Sequence, residues 1–126
     1  MAQGRQVILV IPRMQLGRGE NMREHWAARA KRVARERWQV QWAWQRAKPR
    51  LPPPPWAVTM VRCSPANGLD FVNLVTSFKG VQDQIAEELK LRDDRDAKGG
   101  ELDRATWTYR EDTHTPWALR IEIATR

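Results

Sequence analysis

Four consecutive prolines, Pro52–Pro55, constrain this chain more than any other stretch. Proline lacks a backbone N–H and has a fixed φ, so neither a helix interior nor a central strand runs through them. The segments on either side must therefore fold as separate elements. Upstream, residues 21–48 contain neither Pro nor Gly. That stretch predicts one long helix over roughly Met22–Ala47. Asn21 is placed to cap it, with Glu24 as the returning partner of a capping-box-like pair. Leu51 and the prolines themselves predict a stiff polyproline connector.

The flanking segments read as short strands and one further helix. Gln6–Ile11 is a β-branched run closed by Pro12, a strand signal. Met14–Glu20 reads as a loop. Trp56–Arg62 is strand-like and Ser64–Gly68 a turn. Asn73–Lys90 carries Leu74, Phe78, Val81, Ile85 and Leu89 on one arc of about 80° at 100° per residue, which predicts an amphipathic helix. Thr76, Lys79, Asp83 and Glu87 fall on its other side. Leu91–Arg104 reads as a charged loop. Thr106–Arg110 and Trp117–Ala124 alternate with period two and predict two strands joined by a hairpin loop. The expected fold is one α/β domain over residues 1–126: a small mixed sheet with two main helices, in the order β-α-β-α-β-β.

Charge is unevenly placed. The chain is +7 overall, and residues 23–50 hold nine basic and two acidic side chains, which is the whole excess. Arg23, Arg29, Lys31, Arg32, Arg35 and Arg37 are therefore the candidate nucleic-acid contacts. Asp83–Asp103 leans the other way, with eight acidic residues against four basic. On the basic helix, Trp26, Ala30, Val33, Val40 and Trp44 share a face with Arg37. Trp38 and Trp42 lie on another side, near Lys31 and Arg35. Two such aromatics beside cations suit base stacking or a subunit contact.

Several chemistries are excluded. The single cysteine, Cys63, permits no internal disulfide and no cysteine-based zinc site. His25 and His114 have no partner at useful spacing. There is no Walker loop, dinucleotide fingerprint or Ser/His/Asp set. No export signal or membrane span is expected, so the default compartment is the cytoplasm. What remains is carboxylates. Asp70 precedes the second helix, Asp83 lies on it, and Asp93 and Asp94 follow it. Clustered carboxylates recruit a cation, and Mg²⁺ suits oxygen ligands while keeping several waters. Lys79 would add positive charge beside a phosphodiester.

The stretch Leu69-Asp-Phe-Val-Asn-Leu-Val-Thr-Ser-Phe-Lys-Gly-Val-Gln-Asp-Gln-Ile-Ala-Glu-Glu-Leu-Lys-Leu-Arg-Asp-Asp94 resembles the signature of RusA-type Holliday-junction resolvases, above all the short phage-type members. Asn21-Met-Arg-Glu-His-Trp26 and the two closing strand segments are similar as well. The resemblance implies a homodimeric, Mg²⁺-dependent (or Mn²⁺-dependent) endonuclease acting on branched DNA in recombination and repair. On that resemblance the metal ligands fall on Asp70, Asp93 and Asp94. The catalytic set falls on Asp70, Asp94 and Lys79, and Asn73 matches the family's asparagine. One position departs: the aspartate expected before that asparagine is Val72, and Phe71 replaces an often acidic neighbour. A valine holds no metal. Either Asp83 and the second loop aspartate compensate, or the scaffold recognises branched DNA or serves in assembly without cutting it. An RNA-binding module using the tryptophans is the third reading.

Geometry adds a condition. An unbroken helix over Asn73–Lys90 would be ~27 Å long. Asp70 and Asp94 then meet only if the helix ends early or bends, or if the second aspartate comes from a neighbouring subunit. A homodimer with Trp38 or Trp42 at or near its contact is expected.

Overall fold

The computed structural model describes residues 6–18, 25–91 and 104–126. Its elements run β1 (Gln6–Pro12), α1 (Trp26–Ala47), β2 (Trp56–Ser64), α2 (Phe71–Ser77), α3 (Lys79–Glu88), β3 (Ala105–Thr113) and β4 (Ala118–Thr125). The fold is a small single-domain α/β fold with a four-stranded mixed sheet and three helices, as the sequence pattern predicts in class. No helix among the described residues is long and apolar enough to cross a membrane.

The sheet order is β1-β4-β2-β3. β4 pairs antiparallel with both β1 and β2, while β2 and β3 run parallel. This corrects the expected β3–β4 hairpin. β2 lies between the two strands, so the short link from Thr113 to Ala118 steps across the end of β2, where the Thr115 N–H donates to the Ser64 carbonyl at 3.1 Å. The physical reason is the crossover. Parallel strands need a long return connection, and α2 and α3 supply it between β2 and β3. β4 then closes on the free side of β2.

One face of the sheet carries the core. Val58, Met60, Leu119, Ile121 and Ile123 from β2 and β4 meet Val40 and Trp44 of α1 and the predicted stripe Leu74, Phe78, Val81, Ile85 and Leu89. Met14 and Leu16, from the loop after β1, are buried in the same cluster. On the opposite face Ile8 and Val10 are exposed beside Arg120 and Glu122.

The long helix starts later than expected. His25 is extended (φ −62°, ψ 143°) and its Nδ1 accepts from the Ala27 N–H, so His25 rather than Asn21 is the cap; Asn21 lies outside the described residues. At the other end Lys48 adopts φ 45° and donates its N–H to Trp44, closing the helix before Pro49. The proline connector does not run straight. Its carbonyls are gripped one after another: the Trp56 indole donates to Pro52 at 2.8 Å, Thr125 to Pro53 at 2.6 Å and the Arg126 N–H to Pro55 at 2.7 Å. These bonds bend the segment against the start of β2 and the end of β4.

The second predicted helix is two. It breaks at Phe78 (φ −92°, ψ 0°), and α3 ends at Glu88. Just before the break, Thr76 donates to the carbonyls of Val72 and Asn73, and Ser77 donates to Leu74 at 2.6 Å. Such side-chain bonds compete with the helical ladder and bend it. Beyond the break, Gly80 lets α3 approach α1: a Cβ there would stand 2.9 Å from the Val33 Cγ1.

Candidate active site and basic faces

Asp70 is the best-defined candidate. It caps α2 in an extended conformation, and its Oδ1 accepts the Asn73 N–H at 2.9 Å. The Asn73 side-chain amide donates to both carboxylate oxygens, at 3.0 and 2.9 Å. These bonds, the backbone one foremost, hold the Asp70 carboxyl below its usual range, so it is ionised and fixed in direction. Asn73 is buried and Asp70 is exposed, so one faces the protein and the other faces solvent.

The loop that delivers Asp70 is anchored from the sheet. The Leu69 N–H donates to the Glu111 carboxylate at 3.0 and 3.2 Å, and Arg62 donates to the same group at 3.0 Å. Arg62 and Glu111 sit directly opposite in the parallel register of β2 and β3. Arg62 is only 2% exposed. Burial lowers its pKa, the Glu111 charge opposes that shift, and its guanidinium lies 5.2 Å from the Trp117 ring. Gly68 leaves room for this pair: a Cβ there would come within 2.8 Å of Glu111 Oε1 and displace the carboxylate. This anchor does not stand out in the sequence. Its signal was an arginine in the inward register of β2, which demands a buried partner.

Other candidates fall elsewhere. Val72 and Phe71, at the positions where a carboxylate was expected, are exposed beside Asp70. Asp83 is exposed on α3. Among the described residues no group of three or more His, Cys, Asp or Glu side chains is placed to hold a metal. Asp93 and Asp94 lie outside the described residues, as does Arg23.

Lys79 is not set at the Asp70 end of α2. It begins α3, past the seven residues of α2, a rise of about 10 Å. There it lines a cleft of about 170 Å³ with Arg29, Arg32, Glu36, Thr76 and Ser77. Glu36 is 1% exposed and was not singled out from the sequence. Its Oε2 accepts from the Gly17 N–H and from Arg32, both at 3.1 Å, while Oε1 has no partner among the described residues. Burial outweighs these bonds and raises its pKa. A Cβ at Gly17 would stand 2.5 Å from the Arg32 guanidinium, so any larger residue there would push that side chain aside.

The basic helix is thus divided. Arg29 and Arg32 face the cleft. Arg37 is engaged by α3, donating to Gln84 at 3.1 Å and Glu87 at 2.7 Å. Lys31 and Arg35 point away from the core with Trp38 and Trp42. Trp26, on the helical face it shares with Val40 and Trp44, is 76% exposed at the start of α1. Compared with protein-family models, curated proteins and solved structures, the chain matches none.

Proposed function

We propose that this chain is an Mg²⁺-dependent, structure-selective endonuclease of the RusA type that cuts branched DNA, Holliday junctions among it, during recombination or repair. The observation that carries the reading is Asp70: an exposed carboxylate, kept ionised, and aimed by Asn73. Mg²⁺ is held in many phosphoryl-transfer sites by one or two carboxylates together with substrate phosphates and waters. A single described carboxylate fits a cation that arrives with the DNA; Asp93 and Asp94 are the further ligands that the resemblance implies. Mn²⁺ would serve in its place. Such a cation offsets phosphodiester charge and makes bound water a better nucleophile.

The chain's own part is to position. Asn73 fixes the carboxylate, and Glu111 fixes the loop that carries it. Lys79, Arg29 and Arg32 offer positive charge to the phosphates flanking the cut. A homodimer is part of this proposal, and the exposed Ile8 and Val10 on the outer sheet face support it.

A second reading is favoured by Val72. Where the RusA pattern has a carboxylate, this chain has an exposed apolar side chain, 57% accessible. On that reading the scaffold binds branched DNA, or assembles on it, without hydrolysis. Calorimetric titration of Mg²⁺ and Mn²⁺ into the junction complex separates the two. The nuclease reading expects saturable uptake that Asp70→Asn removes. Identical heats for both proteins would leave the non-catalytic reading standing.

A further inference from the structure

We infer that the outer face of α1 is a stacking platform for the unpaired bases of single-stranded DNA, separate from the Asp70 site. The choice of DNA rests on the branched-DNA reading above. Lys31, Arg35, Trp38, Trp42 and Arg46 fall within an arc of about 80° at 100° per residue, on the side of α1 away from Val40 and Trp44. Trp38 and Trp42 are 58% and 49% exposed, a large apolar area to leave in water. Their rings stack at 6.3 Å between centroids and 25° between planes. The Arg46 guanidinium lies 4.7 Å from the centre of the Trp42 ring. Three flat groups therefore follow one another along the helix, with Lys31 and Arg35 at the end next to Trp38.

Charge selects the occupant. The only acidic residue in α1 is Glu36, which is buried on the far side. Among the described residues of α1 the face therefore offers aromatic rings and cations and no anion. A second copy docked here about a two-fold axis would set Lys31, Arg35 and Arg46 against their own kind. A single strand brings phosphates to the cations and a π-face with every base, which is how sequence-tolerant single-strand binders work. A fully paired duplex offers the phosphates but keeps its bases stacked inside.

The test is fluorescence anisotropy with an oligo(dT) of about 20 nucleotides, long enough for one such platform, and with a duplex of equal length. Both are measured in EDTA, so that cleavage plays no part. Trp38→Ala/Trp42→Ala should weaken oligo(dT) binding roughly tenfold or more and leave duplex binding within about twofold. Trp38→Phe/Trp42→Phe, which keeps flat rings, should retain most of the affinity. Asp70→Asn should leave oligo(dT) binding unchanged, so failure of the nuclease reading and failure of this one are told apart. The inference is overturned if the alanine variant binds oligo(dT) as the parent does, or if it loses single strand and duplex equally. It is also overturned if the alanine variant changes from dimer to monomer in sedimentation, or if oligo(U) RNA binds more tightly than oligo(dT).

Discussion

Replacing Glu111 by alanine should unfold this protein more readily than any surface substitution. Arg62 is 2% exposed and its charge is met by Glu111 at 3.0 Å. Removing one partner of a buried ion pair typically costs about 3–5 kcal/mol, because the other charge is left uncompensated. The Glu111 side chain is itself 11% exposed, and Trp117 gives Arg62 some residual shelter, so the low end applies. About 3 kcal/mol, at roughly 4 °C per kcal/mol for a chain of 126 residues, lowers the melting temperature by about 11 °C. Urea unfolding followed by circular dichroism reads it directly. Arg62→Met/Glu111→Leu should recover most of the loss, since both charges leave together. A Glu111→Ala protein within about 0.5 kcal/mol of the parent, the scatter of an ordinary surface change, would refute the buried-pair argument. It would also refute the claim that Glu111 secures the loop before Asp70.

Glu36 gives a pH signature. Its raised pKa means the folded state binds a proton more readily than the unfolded chain. Stability from this group therefore falls as pH rises from the ordinary carboxylate value through its own; Glu36→Gln should flatten that slope in urea titrations across the same window. Asp70 has the opposite sign: its lowered pKa keeps the α2 cap intact until the pH drops below the usual carboxylate range, so Asp70→Asn should remove an acid-limb component from the same profile. Gly80→Leu should cost about 1–3 kcal/mol by overpacking, because even a Cβ would press on Val33 at 2.9 Å; an unchanged melting curve would mean that α1 and α3 are not in close contact. Sedimentation at micromolar concentration should find a species of twice the 14.7 kDa chain mass, and a lone monomer would count against the dimer.

What could be read in advance follows physical lines. The stripe from Leu74 to Leu89 was legible because a helix period survives a single break, and all five residues are in the core. The break itself was not, since Phe78 is no helix breaker. Its signal was the Thr76-Ser77 pair, whose hydroxyls bond back to the preceding turn. The strands were legible as alternating runs, but their pairing was not. Adjacency in sequence favoured a β3–β4 hairpin, and only the crossover through α2 and α3 puts β2 between them. Of the site, Asp70 was legible from its place just ahead of the second helix, and Asn73 only through the resemblance. Glu111, which is 42 positions from Leu69 and meets it only through the β2–β3 register, was not. Lys79 stood out as a cation on the wet side of the second helix, but its company did not: the fold sets it with Arg29 and Arg32 in the cleft.

The nuclease claim is tested most directly by cleavage of an end-labelled four-way junction in Mg²⁺ and in Mn²⁺. The parent, Asp70→Asn and Val72→Asp proteins are compared at equal junction occupancy. Val72 is exposed in the first turn of α2, so an aspartate there has room and adds a hard oxygen ligand beside Asp70. The account predicts metal-dependent nicking near the branch by the parent, none by Asp70→Asn with DNA binding retained, and faster nicking by Val72→Asp. Junction binding by all three proteins with no metal-dependent nicking by either the parent or Val72→Asp would contradict it.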